Sequence, residues 1–148
     1  MTSGYYGYRV LILPAVPIKN YTTSVPANRS IEEIQTALVK HGATGVMYEY
    51  KQSTRRTQAL RFMLVINNRP VAFSLPVEWR RFQEVLRQQR VSRWRDEDYV
   101  YRVSWRNTRD WVMAQLALYE TRIVEMPQVF LPFAVGRNGK TLYDHVQD

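Results

Sequence analysis

The chain is predicted to be an α+β protein: a small antiparallel sheet of three to four strands packed by helices, ordered α-β-β-β-α, with a long C-terminal helix. Three observations lead there. Residues 30–41 carry apolar side chains at helical spacing behind a helix-start signature. Residues 44–75 hold three extended runs with short connections, and parallel neighbours would need longer crossovers. Residues 76–125 hold two amphipathic stretches, the second long. Helices grouped around one such meander make an α+β domain. This divides the chain into an extended N-terminal arm (1–29), an α+β core with the long final helix (30–126) and a C-terminal tail (127–148).

In chain order, Tyr8 to Leu13 suits a strand, rich in aromatic and aliphatic residues and stopped at Pro14. Pro14, Pro17 and Pro26 preclude a helix across the arm. Tyr21 to Val25 is a second short strand, and the arm is expected to pair with a sheet edge or with another subunit. Ser30-Ile31-Glu32-Glu33 reads as a capping box opening a helix from Ile31 to His41, with Gly42 as its stop. Thr44 to Lys51 is a strand with Val46, Tyr48 and Tyr50 on one side. Gln52 to Thr57 is a polar loop with Arg55 and Arg56 at its tip. Ala59 to Ile66 is apolar on both parities except at Arg61, which predicts a central strand covered on both faces.

Asn67-Asn68 is a turn signal, and Val71 to Leu75 is the third strand. Pro76 is placed in the first turn of a helix whose stripe is Trp79, Phe82, Val85 and Leu86. Val91 to Arg95 connects to the final helix, capped by Asp96 or Asp98 and running to about Glu125 before Pro127. Its stripe is Tyr101, Trp105, Val112, Leu116, Tyr119 and Ile123, widened by Trp111 and Leu118. The tail turns at Gly136 to Gly139 and ends in a short helical turn.

Composition excludes several function classes. The 148 residues are 45% hydrophobic and 23% charged, as in an ordinary globular protein and unlike a disordered one. No cysteine is present, which removes a disulfide scaffold, a thiolate zinc site and a cysteine nucleophile. Two histidines, His41 and His145, are too few for a multi-histidine metal centre. No run approaches the ~18–20 apolar residues of a membrane span, so no membrane partner is expected. The first residues lack a secretory pattern, which predicts a cytoplasmic protein in the interior of a host cell. No cofactor is implied. Gly136-Arg137-Asn138-Gly139 lacks the strand-to-helix setting of a phosphate loop, and no serine sits in a nucleophile elbow. His41 closes a helix, where a cation favours the terminal carbonyls.

The net charge of +8 is clustered and built from 17 arginines against 4 lysines. Arginine serves bidentate contacts to phosphate, and it equally follows from a GC-rich genome. Residues 80–109 hold nine arginines and four acids, net +5. Arg102, Arg106 and Arg109 fall at i, i+4 and i+7, one helix face, and Trp94 lies between Arg93 and Arg95. Arginines neutralise phosphates and rings stack on unpaired bases, so this pattern suits nucleic acid. A solvated face with ion pairs Arg80–Glu84, Asp98–Arg102 and Arg106–Asp110 accounts for the same residues. Arg55-Arg56 is a second basic element, able to reach a phosphate backbone or merely to solubilise a loop tip.

Three resemblances bear on function. The helix-strand-strand-strand-helix run from Ser30 to Arg90 resembles a double-stranded-RNA-binding domain in order and length only. That family's basic signature is replaced here by Pro76-Val77-Glu78-Trp79. Glu49-Tyr50-Lys51 matches half of a metal-dependent nuclease motif, but no Asp precedes Asp96 and only Glu32 and Glu33 lie upstream of Glu49 to complete it. Residues 21–42, with Ala114-Gln115-Leu116-Ala117-Leu118 and Phe130-Leu131-Pro132, resemble a group of short uncharacterised bacteriophage and prophage proteins. That resemblance implies a setting, in which small proteins act on nucleic acid or inhibit a host protein, and no activity.

The expectation is a non-enzymatic nucleic-acid-binding accessory protein of phage or mobile-element origin. Its contacts are Arg55, Arg56, Arg93, Trp94, Arg95, Arg102, Arg106 and Arg109, and its partner is DNA or RNA. The alternative is an inhibitor or assembly subunit docking on an acidic host protein surface, such as a defence or transcription protein, with the aromatic helix and the arm serving homo-oligomerisation; a lesser alternative is a metal-dependent nuclease built on Glu49 and Lys51.

Overall fold

The computed structural model describes residues 16–147. The strand expected at Tyr8 to Leu13 lies outside them. The fold is α+β, as the sequence predicts, with a three-stranded antiparallel sheet in the order β1-β2-β3. Its strands are β1 (Gly45–Lys51), β2 (Arg56–Ile66) and β3 (Arg69–Pro76).

Helix α1 (Ala27–Lys40) starts a turn earlier than the capping box predicts. Pro26, with φ −59°, is the residue before it, and Ser30 lies inside the helix, fully buried. The expected box does not form, because Ile31, Ile34 and Leu38 must face the core and Ser30 shares their side. The stop is as expected. Gly42 has φ +104°, the Gly42 N–H donates to Val39 O at 3.1 Å, and the Ala43 N–H donates to Leu38 O at 2.9 Å, a Schellman closure.

Ahead of α1, residues 16–26 are not the strand expected at Tyr21 to Val25. They turn at residues 19–22 and lie across two helices: α2 (Trp79–Gln88) and α3 (Glu97–Glu120). The Ile18 N–H donates to Gln89 Oε1 (2.8 Å), Asn107 Nδ2 donates to Lys19 O (2.7 Å), and the Tyr99 hydroxyl donates to Tyr21 O. These residues are strapped to helices rather than added to a sheet edge.

Strand β2 is central, but only one of its faces is closed. Leu60, Phe62 and Leu64 join Phe73, Leu75, Val46 and Tyr48 beneath α1 and α3, where Trp105, Val112 and Leu116 complete the core. Phe62 stacks on Phe73 at 5.3 Å between ring centres, and Phe130 meets both edge-on. On the outer face Met47 is 58% exposed, Met63 38% and Val65 55%, which corrects the expectation of two covered faces. The main helices pack on the same side. The C-terminal segment adds to the edge of β3, where the Val135 N–H donates to Ala72 O at 2.8 Å.

Glu49 pairs with Ala59 while Tyr50 pairs with Thr57, so Gln58 is an extra residue, a bulge in β2. It turns Thr57 into the interior and Gln58 outward. Tyr50 shares a recess with Tyr48 and Thr57, yet lies past the cover of α1 and is largely exposed.

Pro76 closes β3 opposite Ala59 instead of opening a helix, and α2 begins at Trp79. Asp96 caps α3 by accepting from the Tyr99 N–H at 3.1 Å. The helix stops at Glu120, short of Glu125, because Arg122 turns left-handed (φ +62°). A separate short helix, α4 (Met126–Phe130), follows, with Glu125 and Gln128 as its reciprocal cap. Phe130 is fully buried, so the tail contributes to the core. A 3-10 turn (Leu131–Phe133) and α5 (Leu142–Gln147) complete the described chain. Trp79, Leu86, Tyr99, Val100 and Val103 form a second core cluster, against which Ile18, Phe82 and Trp94 pack. Among the described residues no helix is long and apolar enough to cross a membrane.

Candidate nucleic-acid interface

Six of the eight residues expected to contact nucleic acid converge on one pole of the molecule, around the first turns of α3. Arg56 ties the β1–β2 hairpin to that pole. Its Nη1 donates to Glu97 Oε1 (3.1 Å) and its Nη2 to Asp98 Oδ1 (2.7 Å), while its guanidinium lies 4.9 Å from the Trp79 ring centre and 5.6 Å from that of Tyr101. Burial acts to lower the Arg56 pKa, but the hydrogen bonds to Asp98 and Glu97 outweigh it and raise it. Arg55, next to it, is exposed, with φ +57°, and among the described residues has no carboxylate within 4 Å.

The α2–α3 connection supplies the next three. Arg93 pairs with Asp96 (2.7 Å) and lies over the Tyr99 ring at 4.6 Å. Hydrogen bonds from Arg93 and from the Tyr99 backbone hold the Asp96 carboxyl below its ordinary range. Trp94 is half-buried against the second core cluster, and the exposed Arg95 covers its ring at 4.3 Å. Arg102 reaches the same pole, 5.9 Å from the Tyr99 ring, with its Nε buried and unpartnered. The expected Asp98–Arg102 pair does not form, because Arg56 takes Asp98.

Arg106 and Arg109 share the helix face that their spacing predicts, but α1 and the strap cover it. Arg106 Nη1 donates to Glu33 Oε2 (2.7 Å) and Ser30 Oγ (3.4 Å). Arg109 pairs with Asp110 (3.1 Å) and Glu33 (3.5 Å). Their side chains are 20% and 27% exposed, so these two guanidiniums serve as internal clamps. The expectation that they lie open for phosphates is corrected: their shared partner, Glu33, comes from another element, which helix spacing could not reveal.

Sequence reasoning missed a groove beside the pole, about 610 Å³, on the outer face of the sheet. Its floor is Ala59, Arg61 and Ser74. Lys51 lies on β1, at one edge of the sheet, and Tyr143 lies in the C-terminal segment that pairs with β3 at the other edge; Arg80 and Arg81 of α2 complete the lining. Among the described residues Lys51 has no carboxylate partner, while Arg80 stacks on Trp79 at 4.4 Å and reaches Glu97 at 3.6 Å. These residues come from three distant stretches, so no local pattern marks them. Glu49, the residue of the nuclease-like triplet, accepts from Arg61 Nε at 3.0 Å. Among the described residues no three Asp, Glu or His side chains converge as a metal-binding group.

With this geometry in hand, comparison with protein-family models, with curated proteins and with solved structures finds no match.

Proposed function

We propose that the chain is a non-enzymatic nucleic-acid-binding accessory protein of phage or mobile-element origin, acting through the basic pole around the start of α3. One observation carries this reading. Lys51, Arg55, Arg95 and Arg102 collect at or beside that pole with no carboxylate of the described residues within 4 Å, on a chain of net charge +8. Unpaired cations release condensed counterions when they meet phosphates, and this release drives sequence-independent binding. Arg56 and Arg93 belong to the supporting framework, since both are already held by acids. The resemblance to short phage proteins supports the setting.

The test is fluorescence anisotropy with labelled oligonucleotides across a salt series. Wild type is expected to lose affinity steeply as salt rises. The Lys51→Glu/Arg55→Glu/Arg95→Glu variant is expected to bind at least about 10-fold more weakly with a flatter log–log slope. Equal affinity at low and moderate salt, or an unchanged slope in the variant, overturns the proposal.

A second reading, a subunit that binds a host protein, is favoured by the exposed Met47, Met63 and Val65 on the outer sheet face. It requires that Met63→Lys abolish a stoichiometric complex with one acidic host protein while leaving the melting temperature unchanged.

A further inference from the structure

We propose that the groove on the outer sheet face takes a single strand of nucleic acid, with Tyr143 as a base-stacking platform and Lys51, Arg80 and Arg81 as its phosphate contacts. This rests on the phosphate-contact reading above and names the form of nucleic acid that the site accepts.

The lining offers two chemistries. The hairpin and the first turn of α2 bring Lys51, Arg80 and Arg81 to the groove; Lys51 has no carboxylate partner among the described residues, while Arg80 (with Glu97, 3.6 Å) and the 83% exposed Arg81 (with Glu78) hold surface pairs that an incoming phosphate displaces at little cost. The C-terminal segment offers the Tyr143 ring, 54% exposed, on α5. The carboxylates around the groove are engaged within the protein. Glu49 is held by Arg61 at 3.0 Å and Glu78 by Arg81. Asp144, in the first turn of α5, accepts from the N–H (2.9 Å) and the hydroxyl (2.8 Å) of Thr141, the residue that caps the helix. Those hydrogen bonds from Thr141 hold the Asp144 carboxyl below its ordinary range. The acids therefore oppose an incoming phosphate less than free carboxylates would.

An exposed ring can stack only on an unpaired base, whereas a duplex presents its phosphates and hides its base faces. A site that needs phosphates alone would have no use for an aromatic ring in the same groove as its cations. The placement of cations and an open ring in one groove matches a single strand lying along it, backbone toward α2 and one base toward α5.

The experiment measures binding of fluorescein-labelled oligo-dT, oligo-U and a matched DNA duplex to wild type, Tyr143→Ala, Tyr143→Phe and Arg81→Glu. Both single strands are expected to bind more tightly than the duplex, and their ratio reports whether DNA or RNA is preferred. Tyr143→Ala is expected to weaken single-strand binding about 10-fold and leave duplex binding unchanged. Tyr143→Phe retains the affinity, and Arg81→Glu weakens single-strand binding with a flatter salt slope. Melting curves confirm that each variant is folded. A duplex that binds as tightly as the single strands, or single-strand binding indifferent to Tyr143→Ala, overturns this inference and leaves the phosphate-contact reading standing. Failure of all three probes at low salt overturns both.

Discussion

Asp110 shows how one side chain joins the strap to the helices. Burial pushes its carboxyl pKa up, but hydrogen bonds from Asn20, Lys19 and Arg109 outweigh this and hold it at about 2. Asn20 Nδ2 donates at 3.0 Å and Lys19 Nζ lies at 2.8 Å. A folded-state pKa below the unfolded value of about 4 means stability that is present above pH ~4 and lost as pH falls toward 2. The expected contribution at neutral pH is about 2 kcal/mol. Urea unfolding of Asp110→Asn should show lower stability at pH 7 and a smaller loss between pH 4 and pH 2 than wild type. Arg106 makes a complementary case. Arg106→Ala leaves Glu33 and Ser30 facing an empty position between helices and is expected to cost about 1–2 kcal/mol in urea unfolding. Its oligonucleotide affinity should stay at the wild-type value. A phosphate contact would produce the opposite pair of results.

At the scale of elements, the β1–β2 hairpin is held to α3 by Arg56. The Gln58 bulge turns Thr57 inward, and the Thr57 N–H donates to the Tyr101 hydroxyl at 2.9 Å. Arg56 beside it then lies between the Trp79 and Tyr101 rings and reaches two acids. Arg56→Ala removes both hydrogen bonds and the packed stem, with an expected loss of about 1–2 kcal/mol in chemical denaturation. Arg56→Lys is expected to recover only part of this, because an ammonium lacks the planar fork that meets Glu97 and Asp98 together. If Arg56→Ala unfolds at the wild-type midpoint, the hairpin is anchored some other way.

Across the whole molecule, the excess positive charge is partitioned rather than uniform. Glu33, Glu49, Glu78, Glu84, Asp96, Glu97, Asp98 and Asp110 each engage an arginine within the fold. Among the described residues, Lys51, Arg55, Arg95 and Arg102 have no carboxylate partner and gather at or beside one pole, next to the exposed surface pairs of Arg80 and Arg81. With four phosphates neutralised there, log affinity for a polyanion should fall against log salt with a slope of about −3. A slope near −8 in the salt series would mean that the paired arginines open to bind.

The order of elements from the first helix to the long one, the Gly42 stop, a cap at Asp96 or Asp98 and the α+β class were legible in the sequence. Each depends on residues within a few positions of one another, where helical periodicity, alternation and left-handed glycine act locally. Local signals also misled. Ser30 and Glu33 have the spacing of a capping box, yet they meet Arg106, 76 and 73 residues away. The arginines at positions 102, 106 and 109 do share a helix face, as their spacing requires. Whether that face meets solvent or another helix was decided by the packing of α1 on α3. Tertiary structure also assembled the groove, since Lys51, Arg81 and Tyr143 come from three elements with no pattern in common. Sequence periodicity sets which residues lie on one face of an element. Long-range packing sets what that face meets, and so which of the chain's charges remain free.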